Sequence, residues 1–272
     1  MKPQHADEIR QAVRDSYSKV AEVSNSSSCC TPSTSNTGAG CCAPTVEINA
    51  LHSTRFGYSA DDINAVPAGA DMGLGCGNPR AIASLVAGDV VLDLGSGGGF
   101  DCFLAASEVG GTGRVIGVDM TPAMISKARG NAAQGDYAHV EFRLGEIEYL
   151  PVADASVDVI ISNCVINLSP DKAQVFRETF RVLKPGGRLA IADVVASAEL
   201  PAHIRNDMAL FSGCMAGASV VSELEGFLAA AGFTDIRIAP KDASREFIKD
   251  WAPGRGVEDY VISATIEARR PA

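Results

Sequence analysis

The stretch VLDLGSGGGFD, residues 91–101, passes from an apolar, β-rich run through a cluster of glycines into a segment of helix-forming residues. Strand, glycine loop and helix in that order place free backbone amides and the positive end of a helix dipole at the carboxyl edge of a sheet, where a polar ligand group is held. The dinucleotide pattern G-x-G-x-x-G fails, because counting from Gly95 its third glycine falls on Phe100. The loop reads D-x-G-x-G-x-G over Asp93, Gly95, Gly97 and Gly99, with Ser96 inside it. An acid at the end of the first strand suits a ligand with an ammonium group better than one with a pyrophosphate.

Working outward, Asp119 ends a second apolar run, RVIGVD (114–119), about 20 residues past the glycines, from where a carboxylate can accept both hydroxyls of a ribose. S-adenosylmethionine carries both an ammonium and a ribose. The plainer alternative, two acids that cap strands around a tight turn, leaves the agreement of loop, acids and strand-helix-strand context unexplained. Further strands are predicted at VEFRL (140–144), SVDVIISN (156–163) and GRLAIADVV (187–195), with two more near 234–239 and 260–267. Amphipathic helices fit after Gly99, at 122–132 behind Thr121 as cap, and at 170–183 ending in KPGG, where Gly186 and Gly187 free the chain to leave the helix. Asn78-Pro79 opens a short helix through Leu85, and SELEGFLAAAGF (222–233) reads as another. This alternation predicts an α/β fold, a parallel sheet with helices on both faces.

Ahead of the sheet, Ile9, Ala12, Val13, Tyr17, Val20 and Val23 fall at helical spacing, so residues 6–23 predict an amphipathic helix. The run SNSSSCCTPSTSNTGAGCCAP (24–44) has too little apolar surface to offset the entropy of ordering it and predicts a flexible arm. The expected division is an N-terminal helix and Cys-rich arm over 1–45, a cofactor-binding domain over 46–195, and a substrate-binding insertion with closing elements over 196–272. The 272 residues carry 33 acidic and 23 basic side chains, a net charge of −10, which argues against a broad nucleic-acid or anionic-lipid surface. No stretch approaches the roughly 20 apolar residues of a membrane span, and the start lacks a secretory core. The expectation is a cytoplasmic protein acting on a small molecule. In that reducing setting eight cysteines do not predict a disulfide framework, which leaves metal, metalloid or redox chemistry.

Open α/β sheets bind ligands where strand order reverses, here between the first and fourth strands. The fourth ends ISNCVINLSP, which directs Asn163 and Cys164 into the crevice that holds the reactive end of the cofactor, with Asn163 expected as a cofactor-binding residue. Cys76 in GLGCGNP and Cys214 in FSGCMAG each have glycine beside them, in loops able to fold over the same crevice. Cys102, among Phe103, Leu104 and Ala105, reads as a buried apolar thiol. Three thiols are one short of a structural zinc site, and no C-x-x-C knuckle is present. A soft trivalent metalloid fits better, since arsenic(III) takes three thiolates and keeps a lone pair able to attack a methyl sulfonium without a general base. His5, His52, His139 and His203 show no spacing that supplies a base.

The glycine loop resembles the first motif of class I S-adenosylmethionine-dependent methyltransferases, whose fold is Rossmann-like, and LKPGGRLAIAD resembles their turn before the fifth strand. That resemblance implies Met120 and Met124 beside the cofactor, and Glu146 and Ile147 of LGEIEYLP at its adenine. FGYSADDINAVPAGADMGLGCGNP, SNCVINLSPDK and FSGCMAGA together are similar to the arsenite S-adenosylmethionine methyltransferases over residues 46–272. The likeness implies stepwise methylation of arsenite and methylarsenite for detoxification, Cys76, Cys164 and Cys214 as arsenic ligands, Cys29 and Cys30 as accessory redox or entry thiols, and a small thiol or thioredoxin as reductant. Cys41 and Cys42 have no counterpart in it. For the four doublet cysteines, incidental thiols, a metal clip and an arsenic-handling arm stay open. Rival functions are a class I methyltransferase with another small acceptor, an arsenic-binding non-enzyme, and a redox enzyme, the last without a C-x-x-C motif or a flavin or nicotinamide fingerprint.

Overall fold

The computed structural model describes residues 3–23 and 45–272. The chain begins with α1 (Pro3–Val23), α2 (Thr45–Arg55), α3 (Ala60–Asn64) and α4 (Arg80–Ala83). Strand and helix then alternate through β1 (Val90–Leu94), α5 (Phe100–Val109), β2 (Arg114–Asp119), α6 (Pro122–Ala132), β3 (Val140–Leu144), β4 (Val157–Asn163), α7 (Lys172–Val182) and β5 (Leu183–Ala196). After α8 (Ala202–Arg205), α9 (Met208–Ser212) and α10 (Val221–Ala231), the chain closes with β6 (Thr234–Lys241), α11 (Arg245–Ile248) and β7 (Val261–Arg269). The seven strands form one sheet in the order β3-β2-β1-β4-β5-β7-β6. β1 to β5 run parallel, and β7 lies antiparallel between β5 and β6.

Both faces of the sheet are covered, which is why its central strands read as unbroken apolar runs. Leu92 and Leu94 of β1 and Ile160 of β4 point to a core completed by Phe176, Val182 and Leu228, whereas Val91, Val159 and Ile161 point to Phe103, Val109 and Ala128. α1 adds a third layer over one end: its Ile9 and Val13 are buried in a cluster with Cys76, Cys164 and Cys214.

Local expectations fare unevenly. α4 stops at Ala83, short of Leu85, because Ser84 turns left-handed at φ 50°. Thr121 makes no side-chain cap bond to α6, although Pro122 does occupy its first turn. α7 ends at Val182, so Gly186 and Gly187 do not release a helix; they lie in the irregular start of β5, where the register against β4 shifts and Gly186 adopts φ 80°. The periodicity also gave no notice of α2 or α3, the second of which opens on a Ser59/Asp62 capping box. The arm expected at 24–44, with Cys29, Cys30, Cys41 and Cys42, lies outside the described residues.

Candidate active site

Strand order reverses between β1 and β4, and a cavity of about 420 Å³ opens beyond their carboxyl ends. Asp93, Gly95, Ser96, Gly97, Asp119, Met120, Met124, Ile147 and Asn163 line it, at the places where strand ends and the glycine loop face the crevice. Gly95 has φ 70°, and a Cβ there would overlap the Val165 side chain, so glycine is needed for the close approach. Asp119 is anchored at both oxygens: Gly97 N donates to Oδ2 at 3.0 Å and Thr121 N to Oδ1 at 2.8 Å. The Thr121 hydroxyl also serves Asp119, which explains why it does not cap α6. Each Asp119 oxygen retains acceptor capacity for a ligand hydroxyl.

Asp93 is buried, and the Cys102 thiol donates to its Oδ2 at 3.2 Å. Cys102 is thus a hydrogen-bonded thiol, where the sequence suggests only an apolar one. Burial pushes both Asp93 and Asp119 above the usual carboxylate range, and for Asp93 the nearby Asp101 adds to it. A ligand cation would offset that cost for Asp93. Ser96 Oγ is buried with no hydrogen-bond partner, as a group awaiting a polar ligand atom would be.

The two acids of LGEIEYLP divide their roles in a way the sequence leaves open. Glu146 is turned toward α1, where it pairs with Arg10 at 3.4 Å and with Arg14. Glu148 lines the cavity instead, with Arg10 at 3.2 Å and the Ser169 hydroxyl donating to it at 2.7 Å.

The opposite end of the cavity carries sulfur. Cys164 follows β4, its N–H bound to Ala192 O at 2.8 Å, and lies against the thiols of both Cys76 and Cys214. Cys164 and Cys214 have φ 59° and 64°, the left-handed region that glycine enters freely and other residues seldom do. Cys214 Sγ donates to Cys164 O at 2.7 Å, and Tyr17 Oη of α1 lies 3.9 Å from the same sulfur. A thiol has one proton, so it is the tyrosine that donates in this second contact. The Sγ atoms of Cys76 and Cys164 and a carboxylate oxygen of Asp193 all lie within 4.8 Å of one another.

Asp193, pushed up to about 6 by burial, accepts from Ile166 N at 2.8 Å, Val194 N at 2.8 Å and Asn167 Nδ2 at 2.9 Å. It thereby fixes the turn that carries Cys164. All three thiols are raised above the ordinary thiol value. For Cys76 the cause is burial; for Cys214 it is hydrogen bonding with Cys164, then burial; for Cys164 a lowering contact with Cys214 is outweighed by Cys76 and burial. The three thiols are therefore protonated at neutral pH.

Sequence reasoning missed Tyr17, Tyr58, Asp101, Glu148 and Asp193 as members of this region. Two had a signal: Asp101 closes the glycine motif itself, and Asp193 is the lone acid in the apolar run LAIADVV. The others come from elements that only the tertiary fold brings to the crevice.

Comparison with known proteins agrees with the geometry. A family model described as a methyltransferase domain matches residues 85–232. Geranyl diphosphate C-methyltransferase from Streptomyces coelicolor A3(2), only 19% identical, superposes with a TM-score of 0.60 over 70% of this chain and 76% of its own, which is a likeness of fold alone. Sheet order, glycine loop and cavity define a methyltransferase of the class I fold.

Nearer relatives narrow this. The chain is 55% identical to the arsenite methyltransferase of Halobacterium salinarum over 98% of its own length and 68% of that protein's. It is 41% identical to the arsenite methyltransferase of Homo sapiens over 54% of its length and 42% of that protein's. A crystal structure of an arsenic(III) S-adenosylmethionine methyltransferase from Chlamydomonas reinhardtii is 33% identical, with a TM-score of 0.60 over 84% of this chain and 74% of that one. The chain belongs to the arsenite methyltransferase family, and it spans less than half the length of the human member it matches.

Proposed function

We propose that this chain transfers methyl groups from S-adenosylmethionine to trivalent arsenic held by Cys76, Cys164 and Cys214. The observation that carries the proposal is a run of three buried thiols from three separate loops, Cys164 lying between Cys76 and Cys214, with Cys164 and Cys214 on the wall of the cavity that also holds the glycine loop and its two acids, and Cys76 directly behind Cys164. The residues fit the cofactor: Asp93 is a buried carboxylate suited to an ammonium, Asp119 has spare acceptor capacity for ribose hydroxyls, and Ser96 Oγ needs a partner. Met120, Met124 and Ile147 supply apolar wall around it. Glu146, held by Arg10 and Arg14, is better suited to fastening α1 than to reading the adenine, a place that Glu148 on the cavity wall could take.

Protonated thiols suit arsenite as the incoming substrate. Each S–H proton leaves with an arsenic-bound hydroxyl as water while an As–S bond forms, so loading three thiols releases three waters and no net proton. Soft sulfur donors match arsenic and displace its oxygen ligands. S-adenosylmethionine, when bound, supplies an electrophilic methyl. The chain's own part is to hold arsenic with its lone pair toward the cofactor end and to exclude water with Met72, Met124, Val165 and Leu168, which is catalysis by positioning. Methylarsenite is the second substrate in this reading. A small thiol or thioredoxin is the reductant, and Cys29 and Cys30 are accessory thiols that pass arsenic or electrons inward.

The test is arsenic speciation by mass spectrometry after incubation with arsenite, thiol and S-adenosylmethionine. Cys164→Ser and Cys214→Ser are expected to lose methylarsenic production at least 100-fold, on the order of 3 kcal/mol of transition-state stabilisation, while still binding S-adenosylmethionine. Full activity in either variant overturns the arsenic assignment. Absence of methylarsenic with the unaltered protein favours a different small acceptor.

A further inference from the structure

Asn163 closes β4 and immediately precedes Cys164, and its amide faces the cavity. Its hydrogen-bonding capacity is nevertheless committed to protein partners. Oδ1 accepts from Cys76 N at 3.0 Å, and Nδ2 donates to Gly77 O at 2.8 Å. Nδ2 also lies 3.0 Å from Tyr58 Oη, whose single proton goes to Asp101 Oδ1 at 2.6 Å, so the tyrosine oxygen accepts from the amide. Asp101 Oδ2, at 3.5 Å, is a distant third acceptor for only two N–H protons. Both donors and the amide oxygen of Asn163 are therefore engaged without any ligand.

Two of the three partners bracket one residue: the N–H of Cys76 and the carbonyl just beyond it. The Cys76 carbonyl is held from the other side by Ser263 Oγ at 2.7 Å. The glycines around Cys76 serve the same clamp. Gly75 has φ 142°, and a Cβ on it would sit 2.8 Å from Asn163 Nδ2, while a Cβ on Gly77 would sit 2.8 Å from Ala192 Cβ. Only a loop without side chains at both positions closes this tightly onto the end of β4 and onto Ala192 beside it in β5. One strand end thus sets two of the three thiols, Cys164 through the backbone and Cys76 through the Asn163 amide.

We infer that Asn163 is a positioning residue for Cys76, holding its sulfur against Cys164, and is not a hydrogen-bond partner of the cofactor. The inference rests on the proposed role of Cys76 as an arsenic ligand. Trp251, the single tryptophan, lines the same cavity, so its fluorescence is the signal to follow for binding of either ligand. Asn163→Leu keeps the approximate volume and removes every hydrogen bond; Asn163→Ala, which removes the same bonds without apolar bulk, repeats each measurement should the first variant fail to fold.

The expected result for Asn163→Leu is an arsenite affinity about tenfold lower with Cys76 present and nearly unchanged in the Cys76→Ser background, because the two residues act as one unit. S-adenosylmethionine affinity is expected to stay within about twofold in both backgrounds. An equal loss of S-adenosylmethionine affinity in both backgrounds overturns the inference and makes Asn163 a cofactor ligand; an arsenite loss undiminished by Cys76→Ser also overturns it. Alkylation of Cys76 in the arsenic-free protein, followed by peptide mass spectrometry, is expected to quicken at least about fivefold when the clamp is removed, as local opening exposes the thiol. An unchanged alkylation rate refutes the clamp whatever arsenic does, whereas an arsenite affinity indifferent to Cys76→Ser refutes only the arsenic reading of Cys76.

Discussion

Two of the three candidate arsenic ligands occupy backbone conformations that cysteine enters at a cost. Cys164 and Cys214 both have positive φ, and glycine would take either position with less strain, by about 1 kcal/mol or more. Retaining a thiol there is explicable if the sulfur is what the position serves, since these turns bring the Cys214 sulfur against Cys164 and the Cys164 sulfur against Cys76. Strain and chemistry are separable by substitution. Cys214→Gly and Cys214→Ala both remove the sulfur and its bond to Cys164 O, but only glycine also relieves the backbone. The glycine variant is expected to be more stable in urea unfolding by about 1 kcal/mol, with methylation lost in both. Equal or lower stability of the glycine variant removes strain from the account.

At the scale of elements, α1 lies across the cavity and touches both of its ends. Arg10 and Arg14 fasten it to Glu146 and Glu148 at the cofactor side, and Tyr17 reaches Cys214 at the sulfur side. The Glu148 side chain is only 4% exposed, so removing its cation leaves a buried carboxylate with Ser169 as its remaining side-chain partner. Arg10→Ala is expected to destabilise the protein by about 2 kcal/mol and to speed amide hydrogen exchange in α1 before the rest of the molecule; uniform exchange in both proteins contradicts a fastening role. The helix itself is plain in the spacing of Ile9, Val13 and Tyr17. What it covers is not, because no periodicity says where an amphipathic face docks. The same limit explains Glu146 and Glu148: they lie two residues apart in a loop without period, and the arginines of α1 decide which one faces inward. By contrast the glycine loop, the five parallel strands and the place of Cys164 at the crevice were legible, since each depends on contiguous residues or on the rule that strand ends at the reversal point bear the site, whereas Cys76 and Cys214 lie in loops that this rule does not place.

The whole molecule carries a net charge of −10, yet its most consequential acids are buried beneath the cavity. Burial and then Asp101 of α5 raise Asp93 of β1, and burial pushes Asp101 itself up to about 6. Tyr58, Asn163 and Arg80 pull Asp101 down, while Asp71 pushes it up, and Cys102 lowers Asp93. A carboxyl whose folded value exceeds its unfolded one holds a proton in the native state that the unfolded chain has already released. Its stabilising contribution is therefore full below about pH 4 and is lost as pH rises through about 6. Asp101→Asn removes that titration. The unfolding free energy of the variant relative to the unaltered protein is expected to climb between about pH 4 and about pH 7, by on the order of 3 kcal/mol, whatever constant offset the substitution adds. Saturating S-adenosylmethionine supplies an ammonium beside Asp93 in the proposed binding mode, which favours the ionised pair and pulls its titration to lower pH. With the cofactor present, the pH-dependent gap between the two proteins is expected to shrink by at least half, an effect of the charge that lysis of the ribose contacts at Asp119 would not reproduce. Urea unfolding at matched ionic strength measures both slopes, and a gap that stays constant with pH in the cofactor-free protein rules out Asp101 as the titrating member of the pair.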